Sequence, residues 1–404
     1  MLLVSEMKVG FYYRSDMNKA IKYRIYPTTE QITFFLKTFG CCRKVWNLML
    51  ADRIAYYEQN GKKLNNTPAM YKKGYPYLRE VDSLALANVQ LNLNAAYNNF
   101  FRDKKIGFPK FKSAKHSHKS YTTNNQNGTV RLCGNSIKLP KVGIVKAKIH
   151  RQPNSDWSLK SATVSLTSDG KFYVSVLFEY EDKIVSVPVT YNAIGLDYKS
   201  NGLYMDSNGS IGSTHKYYRE SFAKLEKAQR KLSRMIEHNI VGYKCGSKGG
   251  RVPIFKKPLD ECMNIKKQKQ RIAKIHRHIA NQRLDNLHKL STKITNSYDV
   301  ICIETLDMKA ISNKGFGNGK ATMDNGYGMF TKMLEYKAHD RGKHLVKVDK
   351  WFPSSQLCSC CGNRKHLTLT ERTYFCSFCG ILLNRDINAA INIRNEGLRL
   401  LKSA

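Results

Sequence analysis

Residues 193–211 read AIGLDYKSNGLYMDSNGSI, and this stretch decides the fold of the second half of the chain. The apolar run 193–196 ends on Asp197, a turn follows, and a second short apolar run leads to Asp206. Both runs read as short strands about a turn. Asp197 then stands at the end of a buried strand, where packing alone calls for no acid, because desolvating an unpaired carboxylate is costly. The pattern recurs at 298–308, YDVICIETLDM, a buried strand ending on Glu304. A third acid, Asp386, lies in NRDINAAINI (384–393), where the last helix begins. Taken singly, each is a strand-end or helix-capping acid, and Asp386 could simply cap its helix. Converging in space, the three would repel one another and need divalent cations. That is the requirement of a two-metal phosphodiesterase, in which two Mg²⁺ ions activate water and stabilise the leaving oxygen.

Outward from this stretch, the spacing predicts a strand over 18–26 stopped by Pro27 and a helix from about 29 to 60. A second helix runs from about Ser83 to Arg102, and short strands fill 129–180, KFYVSVLFEYE (171–181) being the clearest. The first 185 residues thus read as a helical insert inside a small β-rich module. Between 221 and 290 stand 18 Lys or Arg against 5 acids, with apolar residues at helical spacing in 224–235 and 265–290. This is a helical hairpin joined by a loop around Gly242–Gly250, and its net charge of +13 (18 minus 5) points to a phosphate backbone. Residues 313–328, with five glycines, read as a mobile loop. A helix over about 329–342, a strand over 344–350 and a helix from about Asn388 to Leu401 finish the chain.

Five of the eleven cysteines crowd between Cys358 and Cys379. Cys358 and Cys361 form one C-x-x-C, Cys376 and Cys379 the other, and each pair precedes a glycine that permits a tight knuckle. Four thiolates at this spacing favour one closed, tetrahedral, structural zinc site, with Cys360 the spare. An uneven cysteine set of this kind argues for a reducing compartment rather than a disulfide framework.

Lys plus Arg number 68 against 31 acids, a net charge of +37. A compact chain with that excess repels itself unless a polyanion neutralises it, and nucleic acid is the first candidate. Ribosomal-type or histone-like proteins are equally basic, so the charge says nothing about catalysis. A membrane surface is set aside, for want of a basic amphipathic helix with a clean apolar face, and no run approaches the ~18–20 apolar residues of a span. The opening 1–16 lacks the apolar core of a secretory signal and is expected to be a disordered extension.

The stretches 195–209, 301–308, 351–362 (WFPSSQLCSCCG), 374–380 (YFCSFCG) and 384–397 (NRDINAAINIRNEG) resemble the C-terminal half of TnpB, the transposon-encoded RNA-guided nucleases related to compact type V CRISPR effectors. KAIKYRIYPTTEQ (19–31), GCCRKVWNLML (40–50), 80–102 and IGFPKFKSA (106–114) resemble its N-terminal half. The resemblance runs from Met17 to Leu401. It implies an α/β RNase H-like (RuvC-like) nuclease domain over 186–404, with Asp197, Glu304 and Asp386 holding two Mg²⁺, and a zinc-binding insert at 355–383. Before it come a β-rich wedge domain (17–40 and 103–185) and a helical recognition insert (41–102). It further implies a guide RNA and target double-stranded DNA as partners, a monomer in the RNA complex, and a bacterial cytoplasmic location. A short motif beside the target would be read by the protein, and Asn88, Gln90, Thr122 and Asn124 have the chemistry for base edges. Two departures stand out: Tyr198 and Lys199 replace the usual Leu or Val and Gly after the first acid, and Asn384 replaces the first Asp of Asp-Arg-Asp. Three other readings remain: a compact CRISPR effector of the same fold, a guide-dependent repressor without cleavage, and a zinc-ribbon binding protein with incidental acids.

Overall fold

The computed structural model describes residues 16–182, 184–213, 215–246, 249–312, 324–368 and 370–403. The expected N-terminal extension, apart from residue 16, and residues 313–323 of the expected glycine-rich loop lie outside the described residues. The chain forms two compact units, Met1–Lys183 and Ile184–Ala404.

The first unit is built on strands β1 (Asp16–Tyr26), β2 (Lys119–Asn124), β3 (Arg131–Cys133), β4 (Ser136–Leu139), β5 (Gly143–Lys148), β6 (Ser158–Leu166) and β7 (Phe172–Glu181). They form one sheet in the order β2-β6-β7-β1-β5-β4-β3, every pair antiparallel. The alternating burial of β7 gives the sheet one apolar face, as period-two patterning requires. Helices α1 (Thr29–Asn60) and α2 (Ser83–Arg102) cover that face, with Phe35, Val45, Met49, Leu86 and Leu93 fully buried against Tyr23, Ile25, Val174 and Val176. Thr28 and Gln31 close a capping box at the start of α1, and the Asp82 carboxylate caps α2 by accepting from Leu84 N–H. The helix α1 runs unbroken through residues 40 and 41.

In the second unit, β8 (Ala193–Tyr198), β9 (Tyr204–Asp206), β10 (Ile211–Gly212), β13 (Val300–Glu304) and β14 (His344–Val348) form a mixed sheet in the order β10-β9-β8-β13-β14. The strands β8, β13 and β14 are parallel, while β9 and β10 fold back antiparallel. One face packs on helices α4 (Met263–Ser297) and α5 (Tyr327–His339) through Ile194, Leu196, Ile301 and Ile303. The other face takes α6 (Arg385–Ser403) against Ala193, Val300 and Cys302. The helix α6 lies unusually close to the sheet. A Cβ at Gly195 would overlap the Ala390 carbonyl oxygen, and one at Gly397 would overlap the Cys302 sulfur.

The basic helical hairpin consists of α3 (Phe222–Glu237) and α4, but strands enter and leave the expected loop around Gly242–Gly250. Strands β11 (Ile240–Cys245) and β12 (Arg251–Phe255) pair antiparallel across it. The reason is local: Ile240, Val241, Val252 and Ile254 favour extended backbone, and the glycines between them turn it.

The close approach of α6 yields a stability test. Gly195→Ala should lower the thermal midpoint of the second unit, with a cost of about 1–3 kcal/mol or more, because the clash is with helix backbone that has no rotamer to change. Gly328→Ala, whose Cβ would meet open space, should leave the midpoint unchanged or slightly raised. Equal behaviour of the two variants in a melting experiment would contradict this packing.

Candidate functional site

Parity on two strands and the seating of α6 bring the three acids together. Along β8, Ala193 and Gly195 face α6, so Asp197 falls on that face too; along β13, Val300 and Cys302 do the same for Glu304. The parallel register matches Val300 to Ala193 and Ile303 to Leu196, which sets Glu304 level with Asp197 at the carboxyl ends of adjacent strands. Asp386 enters from the first turn of α6, the helix packed over those strands. Open α/β sheets commonly bind ligands at such strand ends.

The electrostatics match this crowding. The Asp197 carboxyl is held well above the ordinary carboxylate range, first by burial, then by the neighbouring charges of Glu304 and Asp386. Lys199 and Arg385 pull the other way. Glu304 is pushed up to about 7 by burial. Lys199 forms an ion pair with Asp386. The half-buried Tyr198 and the buried Tyr327 meet edge to face with ring centroids 4.8 Å apart, and neither buried hydroxyl has a hydrogen-bond partner among the described residues. Burial and then Asp197 and Glu304 raise the Tyr327 hydroxyl pKa, which puts that hydroxyl in the field of the acids.

Asp386 does not cap α6. Asn384 does: its side-chain oxygen accepts from the backbone N–H of Asp386 at 2.9 Å and of Ile387 at 3.4 Å. The Asp386 carboxylate is thereby left to face Asp197 and Lys199.

The four cysteines Cys358, Cys361, Cys376 and Cys379 bring their sulfurs within 4.8 Å of one another, the one potential metal-binding cluster of His, Cys, Asp or Glu at that closeness among the described residues. Cys358 and Cys379 sulfurs are 3.5 Å apart, those of Cys361 and Cys376 3.6 Å. Each knuckle turns on a left-handed glycine, Gly362 (φ +75°) and Gly380 (φ +73°), donating to the carbonyl of its first cysteine. Backbone N–H groups of Cys379 and Phe378 draw the Cys376 thiol down to about 6. A closed set of four sulfurs, one of them already inclined to thiolate, fits a structural zinc ion and leaves no position for water. Cys360 is exposed and outside the set.

Two buried asparagines tie this knuckle to the acids. Asn388 accepts from the backbone N–H of Ser359 at 2.9 Å and donates to the Leu357 carbonyl at 2.7 Å. Asn392, one turn on, donates to the carbonyls of Ser354 and Leu357, both at 2.7 Å. The helix that presents Asp386 is therefore clamped by its polar side to the first cysteine loop. Beyond their i, i+4 spacing, nothing in the sequence pattern distinguishes these asparagines from solvated ones.

Of the residues expected to read bases, Asn88, Thr122 and Asn124 gather in the first unit. Asn88 donates to Asn124 Oδ1 at 3.3 Å, and Asn88 and Thr122 line a cavity of about 260 Å³ that also receives Arg43, Lys112 and Lys119. Thr122 shares a 2.8 Å hydrogen bond with Thr163. Gln90, two residues on from Asn88, lies about 200° round α2 from it.

Three family models match the chain: a helix-turn-helix domain of the OrfB_IS605 type over residues 17–62, OrfB_IS605 ("Probable transposase") over 175–314, and "Cas12f1-like, TNB domain" over 327–393. The first covers β1 and the single unbroken α1. A "Putative RNA-guided DNA endonuclease" of Streptomyces pristinaespiralis is 33% identical over 396 residues, covering 95% of this chain and 90% of that protein. The "Putative RNA-guided DNA endonuclease InsQ" of Escherichia coli (strain K12) is 28% identical over 95% of this chain and 93% of its own length. Among solved structures, the fold resembles that in "Cryo-EM structure of the Cas12f1-sgRNA-target DNA complex", with a TM-score of 0.54 at 13% identity, covering 94% of this chain and 99% of that one.

The cysteine cluster yields its own test. Metal analysis of Cys376→Ser should show loss of one zinc per chain and a lowered melting point, since structural zinc binding is part of the folding free energy. Cys360→Ser should keep its zinc. Retention of zinc by Cys361→Ser with loss in Cys360→Ser would overturn the ligand assignment.

Proposed function

This chain belongs to the TnpB family of RNA-guided DNA endonucleases, and we propose that it cuts DNA at one site built by Asp197, Glu304 and Asp386. The observation that carries the proposal is the convergence of these carboxylates, from three separate elements, at the ends of parallel strands. Crowded, partly buried acids with one lysine among them call for cationic charge. They fit a pair of Mg²⁺ ions by donor chemistry. When bound, such ions supply Lewis-acid charge at the phosphate and a water of lowered pKa.

The chain's own residues set the rest. Asn384 and the clamp of Asn388 and Asn392 fix the helix that carries Asp386. Lys199 holds Asp386 in an ion pair, so a cation that takes up this carboxylate competes with an internal ammonium. The packed rings of Tyr198 and Tyr327 shield the acids from water on the α5 side, and the Tyr327 hydroxyl is a free donor near them. The strand order of the sheet supports an RNase H-like reading of 186–404, with 355–383 as its zinc-bearing insert. In the first unit, the sheet corresponds to a wedge (17–40 and 103–185) and the segment 41–102 to a recognition insert, the division at 40/41 falling inside α1.

A guide RNA neutralises part of the +37 charge and pairs with one DNA strand. The groove that holds Asn88 and Thr122 among Arg43, Lys112 and Lys119, with Asn124 hydrogen-bonded to Asn88, suits a duplex motif beside the target, with the cations on phosphates and the amides on base edges. Gln90, placed on another side of α2, is the weakest member of that set. One chain acts per guide, in the bacterial cytoplasm. No helix among the described residues is long and apolar enough to cross a membrane.

Asp197→Ala, Glu304→Ala and Asp386→Ala should each lose plasmid cutting by orders of magnitude while still binding guide and target in a filter assay, because phosphate contacts come from Lys and Arg elsewhere. Full cutting by Asp386→Ala would sink the assignment, as would parallel loss of binding in all three. Lys199→Ala should shift half-maximal cutting to lower Mg²⁺, since it removes the competing ammonium, and Asn384→Asp should keep both cap and activity. A higher Mg²⁺ requirement in Lys199→Ala would show that the lysine assists rather than competes. Wild-type protein should purify with one discrete family of structured RNA; heterogeneous fragments alone would count against guided function.

A further inference from the structure

The first unit exposes an aromatic cavity of about 630 Å³ at the end of α1 and α2, sharing no lining residue with the motif-reading groove. Tyr57, Tyr97, Phe100, Phe101 and Phe108 line it together with Arg53. Phe101 is 65% exposed, Tyr57 64% and Phe108 43%. Their rings are prearranged: Phe108 stands edge-on to both Tyr97 and Phe100 with centroids 5.4 Å apart, and Tyr97 stacks on Phe101 at 6.3 Å. A contiguous aromatic surface of this kind is unfavourable in water and marks a binding face.

The charge around it decides what binds. Lys104 Nζ lies 4.1 Å from the Phe100 ring centroid and 5.1 Å from that of Phe101, and Lys63 is also at the wall. Arg53 is 8% exposed, held by the neutral amides of Asn66 (2.8 Å) and Asn94 (2.9 Å), with its guanidinium 5.7 Å from the Tyr97 ring. Glu58 is the one acid among the lining residues. An apolar protein partner would bury these cations without a counter-charge, at high cost. An unpaired nucleotide has the opposite fit, with a flat apolar base for the rings and a phosphate for the cations.

We propose that this cavity is a stacking site for an unpaired base of RNA. The inference rests on the reading of the chain as an RNA-guided enzyme. Within that reading RNA is the resident polyanion, and its loops offer unstacked bases before any DNA is engaged, so the exposed rings are covered in the resting complex. The site is separate from the carboxylates and from the groove of Asn88 and Thr122, and it would hold the guide rather than read the target.

The test uses full-length protein freed of its own RNA by high salt, and fluorescently labelled eight-nucleotide oligouridine, the deoxy counterpart, and a blunt RNA duplex. Phe101→Leu keeps the apolar bulk at an exposed position and removes the aromatic face, and Phe101→Trp restores it. Phe101→Leu, alone or with Tyr57→Leu, should bind oligouridine roughly 5- to 150-fold more weakly, from the usual worth of one stacked base. Its salt dependence and its affinity for the duplex should be unchanged, and Phe101→Trp should recover binding. Unaltered oligouridine affinity in the double variant overturns the proposal, as does an equal loss on the duplex. A loss confined to the deoxy oligomer would assign the cavity to a DNA strand instead. Loss of a dimer in sedimentation, with RNA binding intact, would assign it to a second copy of the chain. These readouts require neither cutting nor a discrete guide, so failure of the guided-nuclease reading shows separately, in the bound-RNA and plasmid experiments.

Discussion

Negative charge gathered where burial makes it costly is the constraint around which the second unit is arranged. Asp197 and Glu304 sit side by side on parallel strands, and Asp386 is brought to them by a helix that cannot move away, because Gly195 and Gly397 let its backbone settle directly on the sheet. Packing from Ile393 against Ala193, Val300 and Cys302 holds it there. Burial raises the carboxyl pKa values of Asp197 and Glu304, and at Asp197 the neighbouring charges of Glu304 and Asp386 add to it. For an acid, a folded-state pKa above the unfolded one means that stability falls as pH rises from the ordinary carboxylate range toward the raised value, about 7 for Glu304. The fold therefore carries a cost at neutral pH that cations relieve, and Lys199 already relieves part of it at Asp386.

The cysteine knuckle and the acids are not independent modules. Asn388 and Asn392 project from α6 into the backbone of 354–359 and are almost fully buried, so every hydrogen bond they make is one the chain cannot exchange for water. Tyr374, fully buried among Cys358, Leu367 and Cys376, hydrogen-bonds the carbonyls of Gln356 and Asn363 and stiffens the same loop. Disorder in the knuckle would thus reach the first turn of α6, where Asp386 stands.

Much of this was legible in the sequence because it is local. Pro27 separated β1 from α1, Ser83–Arg102 followed from helical spacing, and two C-x-x-C-G stretches specified their own turns. The convergence of the acids was not legible, because parity on two strands and the seating of α6 are tertiary facts; only the types of the residues hinted at it. The segment 240–255 misled because glycines and lysines suggest a loop while its β-branched residues make a hairpin. Asn384 looked like a lost carboxylate, whereas it caps α6, a role that Asn and Asp fill equally well. Lys199 looked like a departure from pattern, and its meaning emerged only with Asp386 beside it.

A chain of net charge +37 that hides a cluster of acids faces two opposite electrostatic demands. Long-range attraction of a polyanion comes from the summed charge and is screened over about 10 Å at moderate salt. The acids act only within the first few ångströms, where burial keeps their interactions strong. A phosphate can therefore be drawn to the protein as a whole and still be repelled at the last step unless positive charge is present among the carboxylates. Binding and cutting are separable for that reason: the first depends on many distributed lysines and arginines, no one of which is decisive, and the second on three acids that act as a unit. Lys199 stands at the junction of the two, a cation of the binding kind placed inside the cutting site, and the cationic charge the acids require must form in competition with it.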